Sequence, residues 1–227
     1  MNSVKSTLHG TLLVSIFIGL LPTAPAVGQP TPHDIVTVAT VNGSSGGTID
    51  VPVFINDLSG STLGLDQPAG QRIQSYGIRI TASNAAFVQS MTLTRGGITQ
   101  ALTPTFETNP SAPGVANLID TFSEATNLIP FTLNGAAPGN QVATLHVTLI
   151  PNVPTGTVIT LTLDPIATEL TNESGSAVTA ETVANSRLVL VNGAINVAAV
   201  ETIPTLTQWA LILLAIMLAA IAIRTRL

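Results

Sequence analysis

Few side chains in this chain are suited to chemistry, and their spacing limits what they could do. Past the first thirty residues there are two histidines, His33 and His146, and no cysteine anywhere. Nucleophilic catalysis needs a base, most often histidine, held in place by a third group. His33 lies in a polar stretch and His146 on the outward positions of an alternating segment, so both read as exposed or lightly paired side chains. No His-Glu-x-x-His, no Gly-x-Ser-x-Gly and no paired Cys/His spacing occurs. Asp50, Asp57, Asp66, Glu169 and Glu173 are available for paired-carboxylate glycoside chemistry, which requires two carboxyls about 5–9.5 Å apart. Acidic loop residues are also the ordinary way to solvate a surface. Asn56, Asp57, Ser59 and Asp66 offer oxygens of the kind calcium takes, without EF-hand spacing. Asn42-Gly-Ser44 and Asn172-Glu-Ser174 match the glycosylation sequon and read as turn asparagines. The sequence therefore predicts a non-enzyme, with no catalytic residue, no cofactor and no metal ligand.

The charge balance narrows the partners. All twelve acidic residues lie within residues 29–202, against Arg72, Arg79, Arg95 and Arg187 and no lysine, a formal charge of −8. Such a surface repels a phosphate backbone, which excludes nucleic acid. Without cysteine there is no disulfide, so the fold must rest on burial, and a domain of this length can bury enough.

The elements that must position these residues are strands. Segments rich in Val, Ile and Thr recur between Gly, Asn, Pro and Ser clusters: 35–41, 48–55, 73–81, 87–94, 117–122, 129–133, 141–150, 157–163, 166–170 and 187–197. In the second, Ile49, Val51, Val53 and Ile55 share one face by the period of two, and Pro52 must avoid a ladder hydrogen bond. In the third, Gln74, Tyr76, Ile78 and Ile80 oppose Ser75, Gly77 and Arg79. The clearest is 141–150, where Ala143, Leu145, Val147 and Leu149 face in and Val142, Thr144, His146 and Thr148 face out. Residues 56–70 form a long loop, 103–113 read as irregular, and Asn192-Gly193 interrupts the last segment as a turn or bulge. About ten short strands without an amphipathic helix predict a single all-β domain, an antiparallel β-sandwich over residues 35–199. Phe54, Phe87, Phe106, Phe122 and Phe131 are expected in its core. Tyr76 shares a face with Ile78 and Ile80, which leaves little aromatic surface for a sugar.

Three stretches carry a resemblance: Gly47-Thr-Ile-Asp-Val51-Pro52-Val53, Ile73-Gln-Ser-Tyr-Gly-Ile-Arg-Ile80 and Ala143-Thr-Leu-His-Val147. Two more follow, Pro154-Thr-Gly156 before a Thr/Ile/Leu strand and Val191-Asn-Gly-Ala-Ile195-Asn-Val197. In order and spacing they resemble a cohesin domain over most of residues 35–198. The resemblance implies a jelly-roll sandwich related to carbohydrate-binding modules. It also implies a dockerin-like protein partner docking on one sheet face. No dockerin-type calcium loop is present, so the chain would be the receptor half.

Both ends are written for lipid. Lys5, the apolar core Thr11–Leu21 and the small residues Ala24-Pro25-Ala26-Val27-Gly28 predict a signal peptide over 1–28, cleaved after Ala26 or Gly28. An exposed leader is expected over 29–34. At the other end, 200–208 reads as a linker and 209–223 is apolar at every position, which predicts a transmembrane helix of about 22 Å. Residues 224–227 form a basic tail on the cytoplasmic side. Ile203, Pro204, Thr205, Leu206 and Trp209, with the terminal Arg224 and Arg226, resemble the IPTL-CTERM sorting domain of Gram-negative bacteria. That resemblance implies recognition by an exosortase-type processing enzyme and display at the cell surface or in the extracellular matrix, much as a GPI signal is an address to be removed. The functional expectation is a non-catalytic, surface-sorted binding or structural module. The alternative is a polysaccharide-binding module beside secreted hydrolases.

Overall fold

The computed structural model describes residues 32–198 and 210–217. The expected signal peptide, the linker, the basic tail and all seven sorting-motif residues lie outside those limits. Fourteen strands run in chain order: β1 (Asp34–Val38), β2 (Thr40–Ser44), β3 (Thr48–Asn56), β4 (Ser75–Ala82), β5 (Val88–Arg95), β6 (Phe106–Thr108), β7 (Ser111–Ala112), β8 (Val115–Thr121), β9 (Asn140–Leu149), β10 (Val158–Leu163), β11 (Glu169–Thr171), β12 (Glu181–Thr182), β13 (Leu188–Val191) and β14 (Gly193–Ala198). They form two sheets. One has five strands in the order β13-β1-β3-β9-β5. The other has nine, in the order β12-β11-β4-β10-β14-β2, with β8 on the second side of β4 and β6 and β7 on β8.

The inward faces interleave as the period of two requires. Val51, Val53 and Ile55 on β3, Ala143, Leu145, Val147 and Leu149 on β9, and Met91 and Leu93 on β5 meet the other sheet's inward residues. These are Tyr76, Ile78 and Ile80 on β4, Leu118 on β8, and Ile159 and Leu161 on β10. Phe122 tilts against Tyr76 with ring centroids 6.3 Å apart. Within β9 one predicted orientation fails. Val142 was expected outside and is buried, because the β3–β9 register shifts between Val53 and Phe54 and the bulge turns the extra residue inward.

Pro52 sits in the interior strand β3, yet it wastes no donor. Its carbonyl accepts from the Ala39 N–H at 3.0 Å, so the missing N–H points to the same side, where β1 has already ended.

The segment 35–41 is two strands rather than one, and 187–197 is divided at Asn192, where an interruption was expected. The chain crosses between sheets at Ala39 and again at Asn192, and the pieces pair in parallel, β1 with β13 and β2 with β14. The sandwich is therefore not wholly antiparallel. The crossings pass so closely that a Cβ on Gly193 would stand 2.2 Å from the Ala39 carbonyl oxygen and 2.7 Å from that of Val38. Glycine is required there by contact.

Other expectations are corrected. Residues 129–133 form no strand: Ile129 and Phe131 are plugs in the core from a loop that Pro130 keeps off any ladder. The stretch 103–113, expected irregular, supplies the short strands β6 and β7. Ile166 belongs to a turn in which the Asp164 carboxylate accepts the Ile166 and Ala167 N–H groups at 2.9 and 3.3 Å, and strand structure starts only at Glu169. Asp34, assigned to the exposed leader, is fully buried as the first residue of β1.

Residues 210–217, within the expected transmembrane segment, are helical with exposed apolar side chains. Among the described residues no helix is long and apolar enough to cross a membrane.

Candidate functional site

Three places gather functional side chains. The first is the outer face of the five-stranded sheet. His146 on β9 lies directly opposite Asp50 on β3, and its Nδ1 stands 2.7 Å from Asp50 Oδ1. Its Nε2 is 2.9 Å from Thr94 Oγ1 on β5. A recess of about 440 Å³ beside them is lined by Arg95, Gly97, Gln100, Gln141 and Thr144 as well. His146 is thus better partnered than its outward position suggested. The chain of contacts is still a poor nucleophile device: the Asp50 side chain is 66 % exposed, so solvent competes for the carboxylate that should orient the ring. A cross-strand polar ladder on a solvated face accounts for it.

The second place is the loop after β3. The sequence-selected carboxylates do not converge as a set. Asp50 belongs to the His146 ladder, Glu169 projects from β11, and Glu173 accepts the Glu124 N–H at 2.8 Å. Only Asp57 and Asp66 come together. Asp57 Oδ2 accepts the Leu65 N–H at 3.0 Å and Asp66 Oδ2 accepts the Gly60 N–H at 2.8 Å, so both serve as staples for the loop's backbone. Donors rather than carbonyls point at them, the reverse of a calcium loop. Among the described residues no three Asp, Glu or His side chains stand where one metal ion could take them. Burial pushes the Asp57 carboxyl up to about 6, against the Leu65 N–H that favours its charged form.

Sequence reasoning missed the partners behind this loop. Asp34 and Glu181, both fully buried, each take loop N–H groups, Leu58 at 2.8 Å on Asp34 and Thr62 and Leu63 at 2.9 and 3.1 Å on Glu181. Asp34 looked like leader, and Glu181 sits in a polar stretch with no alternation to betray burial. Asp120 on β8 is likewise buried, which raises it to about 6 despite the Tyr76 hydroxyl beside it. Of the two sequons, Asn172 caps a turn, accepting from Ser174 Oγ and the Ser176 N–H at 3.0 Å each, whereas Asn42 lies on β2.

The third place is the outer face of the nine-stranded sheet. Phe106, expected in the core, is 54 % exposed there. It pairs across from Thr121, which sets it diagonal to Ile119, itself 43 % exposed. Ile119 lies opposite Gly77 on β4, where the missing side chain lets the turn carrying Ile166 close over the strand; a Cβ on Gly77 would stand 3.3 Å from the Ala167 carbonyl oxygen. Ile166 is 92 % exposed. Polar groups rim these three side chains: Arg79 pairs with Asp164 at 3.7 Å, and Asn117 and Glu169 project nearby on β8 and β11. Phe106 is the one exposed aromatic side chain among the described residues, and Tyr76 is fully buried.

The fold so described is that of the cohesins. It is similar to the third cohesin of ScaC from Acetivibrio cellulolyticus, solved in complex with the ScaB dockerin, with a TM-score of 0.53 at 15 % identity over 73 % of this chain and 99 % of that one. It is similar also to CaCohA2 from Clostridium acetobutylicum, with a TM-score of 0.51 at 19 % identity over 74 % and 92 %. In a CaDoc0917–CaCohA2 complex the figures are 0.52, 20 %, 73 % and 99 %. At these identities the likeness defines the fold. At the C-terminus, residues 202–227 match the family model described as the IPTL-CTERM motif. A search of the curated proteins finds no match.

Proposed function

We propose that this chain is an exported, surface-sorted binding module that takes a protein partner on the outer face of its nine-stranded sheet. The observation that carries the reading is the group Phe106, Ile119 and Ile166, exposed together on a face rimmed by Arg79, Asp164 and Glu169. Large apolar side chains held out from strands and from a hydrogen-bonded turn gain most when a partner covers them, and aromatic anchors dominate such interfaces. Two of the similar structures are cohesins solved in complex with dockerins, which supports a dockerin-like segment as the partner. The IPTL-CTERM match supports sorting of the domain to the cell surface by an exosortase-type enzyme, with the apolar tail as anchor or as the part removed.

The reading is non-catalytic. His146, Asp50 and Thr94 form a solvated ladder and the buried carboxylates staple a loop, so neither group presents a reacting atom to a substrate. A polysaccharide ligand is not favoured, because sugar faces stack on aromatic platforms and Phe106 is the one exposed aromatic side chain among the described residues.

The test is binding of the purified chain to dockerin-type modules encoded in the same genome, measured by calorimetry. Phe106→Ala and Ile119→Arg should each weaken binding about tenfold or more while leaving the thermal transition in place. Unchanged affinity in both variants would show that the partner docks elsewhere.

A further inference from the structure

We propose that Asp34 and Glu181 share a single proton, and that this proton latches the loop between β3 and β4 onto both sheets of the sandwich. The two carboxyls come from different layers: Asp34 opens β1 in the five-stranded sheet and Glu181 opens β12 at the edge of the nine-stranded one. Between them passes the loop, whose N–H groups at Leu58, Thr62 and Leu63 occupy Asp34 Oδ1 and Glu181 Oε1. The remaining oxygens, Asp34 Oδ2 and Glu181 Oε2, are buried and accept from no donor, and the two carboxyl groups lie within hydrogen-bonding reach of each other behind the same loop.

Two oxygens in that position cannot both carry charge. Like charges a few ångströms apart in a dry interior repel strongly, whereas one proton turns the contact into a short O–H···O⁻ hydrogen bond. The other charged groups facing the pair do not relieve it. Asp57, in the loop itself, adds negative charge to both. Asp66 stands behind Asp57 and raises it in turn. On the loop's outer side a recess is lined by His33, Ser61, Thr62 and Arg187, but the Arg187 guanidinium donates to the Val178 carbonyl at 3.0 Å. Among the described residues neither carboxyl forms an ion pair with an arginine or histidine.

Burial, with the Glu181 charge next, pushes the Asp34 carboxyl up to about 9, and burial raises Glu181 as well. The folded chain therefore keeps a proton on the pair near neutrality that the unfolded chain has already given up. That contribution is complete below the ordinary carboxylate range and is lost to solvent base as pH rises through about 9. When the proton leaves, the two carboxylates repel and the loop is released from the sheets.

Arg72 in the same loop provides a reporter. In the full chain, the rate of trypsin cutting after Arg72, relative to a denatured control, should rise about tenfold from pH 7 to pH 10, because cutting follows the open population. In Asp34→Asn, whose amide N–H donates permanently toward Glu181 Oε2, the rate should not change with pH. An equal pH response in both proteins, or none in the wild type, overturns the proposal. If Asp34→Asn does not fold, carboxyl ¹³C resonances of the wild type decide. One of the pair titrating above pH 7 supports the latch, and both titrating below pH 6 refute it. Millimolar calcium that restores the loop at pH 10 also refutes it, since the pair would then be a cation site.

Discussion

Gly193 shows how much one residue carries. Its Cα passes the first crossing of the chain so closely that any side chain would strike the carbonyls of Ala39 and Val38. Gly193→Ala should therefore cost about 1–3 kcal/mol, visible as a lower midpoint in urea, since backbone offers little room to give. An unchanged midpoint would mean that the crossing is looser than described. The residue-level lesson about the candidate site is similar. His146 was legible as a lone histidine on an outward position, but its two partners were not, because Asp50 and Thr94 reach it only through pairing of strands distant in sequence. Asp34 and Glu181 were invisible for the same reason. A buried carboxylate leaves no periodic mark on its neighbours, and its value depends on which backbone donors a folded loop happens to bring.

At the scale of elements, β9 was readable almost whole. Its inward row Ala143, Leu145, Val147, Leu149 is buried, because alternation at period two records which face of a sheet meets the other. Leu145 lies at the centre of that row, flanked by Val51 on β3 and Leu93 on β5. Leu145→Ala should cost about 2–5 kcal/mol in chemical denaturation. A loss below one would indicate that the two sheets collapse to fill the gap. The first segment was read as a single strand, and the last as one interrupted by a turn or bulge, because local sequence gives no sign of which sheet a residue joins. Ala39 and Asn192 look like interruptions, and only the parallel pairings across them show that the chain changes layers. Ile129 and Phe131 misled in the opposite way, having the spacing of a strand without a neighbour to pair with.

For the whole molecule, the raised carboxyls set the response to pH. Asp57 and Asp120 are each pushed up to about 6 and Asp34 to about 9, so folding retains protons that the unfolded chain releases above the ordinary carboxylate range. Stability should fall as pH rises from about 4 to about 9, with a higher thermal midpoint at pH 5 than at pH 8; a midpoint that climbs across that range would contradict these burials.

Among the described residues the core lies within 34–198. A chain ending at residue 199 should therefore keep the same thermal transition in solution. If the tail is the anchor, this shortened chain will appear in the medium, whereas one still held at the membrane would place the anchor elsewhere.

The sequence by itself determined the class of the fold, the alternating core and the IPTL-CTERM tail, because burial period and motif order are local properties of a chain. The tertiary structure decided where Phe106 points, what His146 touches and that Asp34 and Glu181 are buried behind one loop, since each depends on which distant strands are brought side by side.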